Sequence, residues 1–203
     1  MSTQPDTIAI GTAPRRERAD AARNRILILQ AARQLLSDDP DEVSMQAVAA
    51  RAGVGVGTVY RRFGDRQGLL LAVLDEGERE FQEEFMAGPA PLGPGAGGRV
   101  DPAQRIGAFV HTLLDRTIAD LELRVVLERS DSRAAQPYRT WHLHLRTLCR
   151  AVGDERVPDP HYWADLLLAA LSPGLVRDQL AAGATPEALH TAVDVVVCRL
   201  LAG

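Results

Sequence analysis

Apolar side chains recur along the chain at intervals of three and four residues, the spacing that places them on one face of an α-helix. The alternation of apolar and polar residues that indicates a β-strand is absent. Asp or Thr before Pro marks several helix starts, and Gly after an apolar run marks several ends, which gives about nine helices. We therefore predict an all-α protein, with three short helices followed by a larger helical bundle.

Three segments set the expected domain boundaries. Residues 1–17 are mostly polar and lack an apolar stripe, so we expect a disordered N-terminal arm there. Residues 18–66 hold the three short helices, and residues 67–203 hold the bundle. Within the bundle, residues 87–101 contain five Gly and three Pro, which predicts a loop.

A helix-turn-helix pattern lies inside the first of these domains. Ser44 is placed to cap a short helix over 44–52, and Gly53 is placed to end it. A third helix is expected over 56–63. At about 100° per residue, its apolar side chains Val59 and Phe63, with Val56 close by, are expected to face the core.

The opposite side of that third helix carries groups suited to DNA. Gly57 allows close approach of the backbone, Arg61 has the shape to bridge a guanine edge, and Thr58 suits a thymine methyl or a phosphate. Tyr60 and Arg62 suit phosphates, as do Ser44 and Arg66 at helix N-termini. The predicted DNA-binding residues are Ser44, Gly57, Thr58, Tyr60, Arg61, Arg62 and Arg66.

The charge distribution agrees with two different roles along the chain. The net charge is −4, and all 23 basic residues are Arg. Residues 15–66 carry an excess of three positive charges, whereas the remainder from residue 67 is acidic. A basic segment joined to an acidic one favours contact between the basic segment and a polyanion.

The stretch AGVGVGTVYRRFGDRQGLL at 52–70 resembles the DNA-binding domain of the tetracycline-repressor (TetR) family of bacterial transcription regulators. The resemblance covers roughly residues 18–76 and includes the basic residue Arg66 at the start of the fourth helix. Gly55 and Val56 depart from the common family pattern, in which a hydroxyl residue and a polar residue are frequent there. The long 38–42 loop also lacks the usual Gly-aromatic turn.

This resemblance implies a homodimer that binds a near-palindromic operator, usually as a repressor, and leaves the DNA when a small molecule binds the C-terminal helices. For the dimer interface we expect the apolar stripe of the last helix: Leu189, Val193, Val196 and Leu200. For the ligand pocket the candidates are Phe109, Leu113, Trp141, His144 and Leu145. Few polar groups accompany them, which favours an apolar or amphipathic inducer.

Other classes of function find little support in the sequence. No catalytic motif occurs in a recognisable context, so we expect no enzyme and no cofactor. His142 and His144 lie 200° apart on a helix, so they cannot share a metal ion, and no metal is expected. Two Cys and no long apolar stretch are typical of a cytoplasmic protein without a membrane span. A ligand-independent DNA-binding regulator, or a helical dimer that serves as a protein-interaction module, remains the alternative.

Overall fold

A computed structural model describes residues 13–39, 42–97, 100–121, 123–124, 135–153 and 155–202, without side-chain detail at 13–18, 135–136 and 200–202. These ranges contain nine α-helices and no β-strand, so the all-α prediction is confirmed. None of the described helices is long and apolar enough to cross a membrane. The helices are α1 (Ala13–Asp38), α2 (Met45–Ala52), α3 (Val56–Phe63), α4 (Arg66–Ala87), α5 (Pro102–Ala119), α6 (Ala135–Val152), α7 (Pro160–Ala170), α8 (Pro173–Ala181) and α9 (Pro186–Ala202).

The chain divides into two compact units, the first ending at Gly77 and the second beginning at Glu78. The sequence placed this boundary after residue 66. Helix α4 continues without a break from Arg66 to Ala87, and its first turns bury Leu69, Leu70 and Val73. The first unit therefore includes the opening turns of α4, because those turns carry part of its apolar surface.

Helix α1 begins earlier than its apolar pattern indicated. The sequence predicted a start near Asp20, whereas the helix begins at Ala13. Arg, Glu and Ala dominate the added turns, and all three favour helix. Residues 13–17 of the predicted arm are thus helical, and residues 1–12 lie outside the described residues.

Polar links between helices hold the first unit together around its apolar core. Arg51 on α2 donates to Gln34 Oε1 at 3.2 Å and to Asp38 Oδ2 at 2.9 Å, both on α1. Arg25 on α1 pairs with Glu76 on α4 at 2.7 Å. The buried apolar residues of this unit are Ile28, Leu29, Ala31, Ala32, Val43, Met45, Val48, Ala49, Val59, Leu69, Leu70 and Val73.

The second unit is arranged around α5. Helices α6, α8 and α9 pack on α5, and α7 packs along α6. Phe81 and Phe85, from the last turns of α4, are fully buried in the same core as Phe109 of α5. Asp101 and Asp159 cap the N-termini of α5 and α7, and each is followed by a Pro at the first helical position.

A chain of four polar side chains connects α5 to α9. The rings of His111 and His190 are stacked with their Nδ1 atoms 2.6 Å apart. His111 Nε2 lies 2.6 Å from Asp194 Oδ1, and His190 Nε2 lies 2.7 Å from Asp115 Oδ1. These contacts join α5 and α9 at two successive turns of each helix.

The Gly/Pro-rich stretch between α4 and α5 is packed at its centre. Arg105 of α5 donates to the carbonyl oxygens of Phe85, at 2.8 Å, and Leu92, at 3.4 Å. Leu92 packs against the core and Gly93 is buried. The Gly93 N–H donates to the Pro89 carbonyl at 2.8 Å. The described part of this loop is therefore fixed to the second unit.

We predict that Gly93→Ala destabilises the protein, whereas Gly97→Ala does not. A Cβ at residue 93 would lie 2.2 Å from the Gly88 carbonyl oxygen, so the backbone would have to move, at a cost of about 1–3 kcal/mol. A Cβ at residue 97 meets nothing within 4 Å, and Ala there lowers the entropy of the unfolded chain. Urea unfolding of both variants measures the difference. Equal midpoints would show that the loop tolerates a side chain at its centre.

Candidate nucleic-acid interface

Local capping interactions fix the ends of α2. Ser44 has an extended backbone, and its Oγ accepts a hydrogen bond from the Ala47 N–H at 3.1 Å. At the other end Gly53 adopts a left-handed conformation with φ 66°, and the Val54 N–H donates to the Ala49 carbonyl. A side chain at residue 53 would be strained by that φ, so glycine sets the sharp turn into α3.

The burial of α3 shows which of its sides is free. Val59 is fully buried and Phe63 is half-buried, in agreement with the predicted core side. Val56 was expected on that side as well, and this expectation is wrong, because Val56 is 40% exposed. It is the first residue of the helix and lies about 60° from Val59 around the axis, so it falls at the edge of the buried stripe.

The opposite side of α3 faces solvent. Gly57, Tyr60, Arg61 and Arg62 are exposed, and Thr58 is half-buried beside them. A Cβ at residue 57 would meet nothing within 4 Å, so the space beside the Gly57 backbone is open. The structure thus brings these five predicted residues together on one helix of eight residues.

The arginines near α3 differ in their surroundings. Among the described residues, Arg61 has no side-chain hydrogen bond or ion pair. Arg62 donates to the Ala21 carbonyl of α1 at 2.8 Å. Arg66 donates through Nε to the Val43 carbonyl, in the α1–α2 connection, at 2.7 Å. Arg62 and Arg66 therefore hold helices within the unit, whereas Arg61 extends from the free surface.

The N-termini of α2 and α4, which were both predicted to contact phosphates, differ in the groups that cap them. At the start of α4, the Gly68 N–H donates to the carboxylate of Asp65 at 2.8 Å, so an acidic group already occupies this end. At the start of α2, the neutral hydroxyl of Ser44 caps the helix and keeps a proton to donate. The α2 terminus is therefore the better place for a phosphate oxygen.

The predicted ligand residues lie together in the second unit, in a filled aromatic core. Phe109, Leu113 and Leu145 are at most 2% exposed, and Trp141 packs against them. His144 is half-buried, with its ring centroid 5.1 Å from that of Phe109. Burial, together with the charge of Arg105, lowers the pKa of His144 to about 4, which leaves its ring neutral at pH 7.

An apolar cavity of about 220 Å³ lies elsewhere in the second unit, between α5, α7, α8 and α9. None of the five predicted ligand residues lines it. The sequence did not predict this cavity, because the residues that line it come from four helices and share no local pattern. The lining residues are Val110, Leu114, Leu167, Ala170, Leu171, Leu175, Val176, Gln179, Leu189, Ala192, Val193 and Val196.

The predicted dimer stripe of α9 divides between two environments. Leu189 and Val193 pack against the core of their own unit, and Val197, absent from the prediction, is only 6% exposed. Val196 is 37% exposed and lies at the cavity, while the side chain of Leu200 lies outside the described residues. The exposed apolar surface of α9 is therefore formed by Val195 and Val196, with Ala192 beside them.

One match to a protein family lies within the first unit. Residues 28–73 match the family model described as bacterial regulatory proteins, tetR family. A curated HTH-type transcriptional regulator of Staphylococcus aureus is 35% identical over 69 residues, which is 34% of this chain and 37% of that protein. The chain thus covers well under half of the length of this relative.

Two solved structures resemble the chain over most of its length. A TetR-family transcriptional regulator from Pectobacterium atrosepticum aligns with a TM-score of 0.67 and 22% identity, over 91% of this chain and 95% of its own. A transcriptional regulator from a Rhodococcus species aligns with a TM-score of 0.61 and 22% identity, over 90% and 96%. At this identity the likeness establishes the fold. The resemblance read from residues 18–76 is confirmed by the match of residues 28–73 to the model of the tetR family of bacterial regulatory proteins, and the chain shares its fold with these two solved structures.

Proposed function

We propose that this chain is a transcriptional repressor that binds a palindromic operator as a homodimer and releases it when a small apolar or amphipathic molecule binds. The observation that carries the proposal is the free side of α3, with Gly57, Tyr60 and Arg61 exposed on a helix whose other side is buried. A helix presented in this way fits the major groove of DNA. Its partner would be double-stranded DNA in the bacterial cytoplasm.

The residues of this surface divide into two roles in the proposal. Arg61 reads a base, because its guanidinium is exposed and matches the paired acceptors of guanine. Gly57 lets the α3 backbone approach the DNA, and Tyr60, Thr58 and Ser44 contact phosphates through their hydroxyl groups. Arg62 and Arg66 contribute positive charge near the phosphates while they hold helices of the unit in place.

We predict that Arg61→Ala removes specific operator binding and leaves the fold intact. Loss of a bidentate base contact costs about 1–3 kcal/mol in each half-site, and binding to unrelated DNA should weaken far less. The operator is first selected from genomic fragments with the purified protein, and affinities are then measured by fluorescence anisotropy. Arg79→Ala is the charge-matched control, since Arg79 is exposed on the part of α4 that belongs to the second unit and pairs with Glu83. Wild-type operator affinity in Arg61→Ala would refute this role of α3.

Dimerisation is proposed through α8 and α9. Leu175 of α8 is 44% exposed, and Val195 and Val196 of α9 are 49% and 37% exposed. Burying each such side chain against a symmetry-related copy stabilises the pair by up to about 1.5–3 kcal/mol. A twofold arrangement would also place two copies of α3 about 34–36 Å apart, one turn of the DNA helix.

We predict that Val196→Arg produces a monomer with much weaker operator affinity. The new guanidinium would lie against apolar neighbours or against its own symmetry mate, where its desolvation is unfavourable. Thr191→Arg is the control, because Thr191 is exposed roughly 140° away around the same helix. Sedimentation velocity at micromolar concentration reports the oligomeric state. A dimeric Val196→Arg protein would show that the subunits associate through another surface.

The cavity between α5, α7, α8 and α9 is the proposed inducer site. Its lining is apolar apart from Gln179, whose amide offers one polar contact. Cavities of about 150 Å³ with such linings bind benzene, so a volume of about 220 Å³ fits a somewhat larger apolar molecule. The filled core around Phe109 and Leu145 would have to open before it could accept a ligand.

We predict that Val110→Phe fills this cavity without loss of stability and prevents toluene from raising the unfolding temperature. Val110 is buried and lines the cavity, so a larger side chain there has space to occupy. Leu145→Phe is the comparison, since it enlarges a residue of the filled core and should cost about 1–3 kcal/mol. Thermal unfolding with and without toluene measures both effects. A toluene shift that persists in Val110→Phe would exclude the cavity as the binding site.

A further inference from the structure

A cluster of two imidazoles and one carboxylate lies between α6 and α7, apart from the cavity and residues discussed above. His142 comes from α6, while His161 and Asp165 lie one turn apart on α7. One potential ligand atom from each of the three side chains lies within 4.8 Å of the other two. The spacing of residues 161 and 165 places both on one face of α7, opposite His142 of the neighbouring helix.

Two distances within this cluster are close to those between ligands of a small metal ion. His142 Nε2 is 3.3 Å from Asp165 Oδ1, and His161 Nδ1 is 3.1 Å from Asp165 Oδ2. Tetrahedral ligands with bonds of about 2.0–2.2 Å lie roughly 3.3–3.5 Å from one another. The two imidazoles approach different oxygens of Asp165, so a shared ion would draw together three ligand atoms that already lie within 4.8 Å of one another.

The environment of His142 also indicates a ligand. Its Nε2 atom is buried and has no hydrogen-bond partner among the described residues, although a carboxylate lies nearby. A buried nitrogen without a partner is energetically unfavourable, and a metal ion that accepted its lone pair would satisfy it. The His161 side chain, at 64% exposed, leaves the cluster open to ions from solvent.

A second layer of contacts orients the carboxylate. Tyr138 on α6 donates its hydroxyl proton to Asp165 Oδ1 at 2.7 Å. Such outer hydrogen bonds fix the orientation of metal-binding side chains and strengthen their binding.

We propose that His142, His161 and Asp165 form a binding site for one divalent transition-metal ion of the zinc class per chain. Two imidazole nitrogens and one carboxylate oxygen suit Zn²⁺, Co²⁺ or Ni²⁺, whereas Mg²⁺ and Ca²⁺ prefer oxygen ligands alone. The same three residues line a cavity of about 310 Å³ that Arg139 and Arg146 also line. Water or an anion held by these guanidinium groups would complete the coordination.

Isothermal titration with Zn²⁺, and the visible absorption of the Co²⁺ form, test the site in untagged full-length protein. We expect one ion per chain and intense Co²⁺ bands of a four-coordinate site. His161→Ala should weaken binding by more than tenfold, and Tyr138→Phe should weaken it by about 10- to 100-fold while all three ligands remain. His161→Ala removes an exposed side chain, so the fold should tolerate it.

His190→Ala is the matched control, because it removes an imidazole that lies outside the cluster, and it should bind Zn²⁺ as the wild type does. Absence of saturable Zn²⁺ binding to the wild type would overturn the proposal. Wild-type affinity in His161→Ala, or selective loss of binding in His190→Ala, would overturn it as well. Because none of these measurements involves DNA, their outcome is independent of the proposed repressor function.

Discussion

The exposed side of α3, the surface proposed to contact DNA, depends on the burial of one β-branched side chain, Val59. Helix α3 has only eight residues, so few contacts determine its rotation about its own axis. Turning it by one residue position would expose Val59, at a cost of about 1.5–3 kcal/mol, and would move a guanidinium toward the core. The glycine turn at Gly53 and the α1 contact of Arg62 act together with this burial. Arg61 faces outward because the alternatives are less stable.

The features that sequence could predict are those fixed by neighbouring residues. Ser44 and Gly53 bound α2 because capping depends on the side chain and backbone at the helix end itself. The contacts of Arg62 with Ala21 and of Arg66 with Val43 join residues 41 and 23 positions apart, and no local pattern encodes them. The sequence therefore indicated the exposed side of α3 correctly, but it could not show which arginines also hold the unit together.

In the second unit, too, contacts between residues far apart in the sequence could not be predicted from local patterns. Helix α9 carries apolar residues on two adjoining faces. Periodicity alone does not show which of these faces packs against the core of the second unit. The structure buries Val197 and leaves Val196 half-exposed, a change of one residue that moves the side chain by about 100°. The group of His142, His161 and Asp165 likewise forms only when α7 packs along α6, whereas sequence could compare His142 only with its neighbour His144.

Arg62 and Arg66 each have two roles, which limits the substitutions that these positions can accept during evolution. Each guanidinium donates to a backbone carbonyl and still adds its charge to the surface near the proposed DNA site. A lysine there would keep the charge but would present a single ammonium group in place of a planar fork of donors. Most substitutions at these two positions would thus alter stability and DNA affinity together. Arg61 takes no part in these links, so under the proposed function a substitution there could change base preference without a penalty in folding.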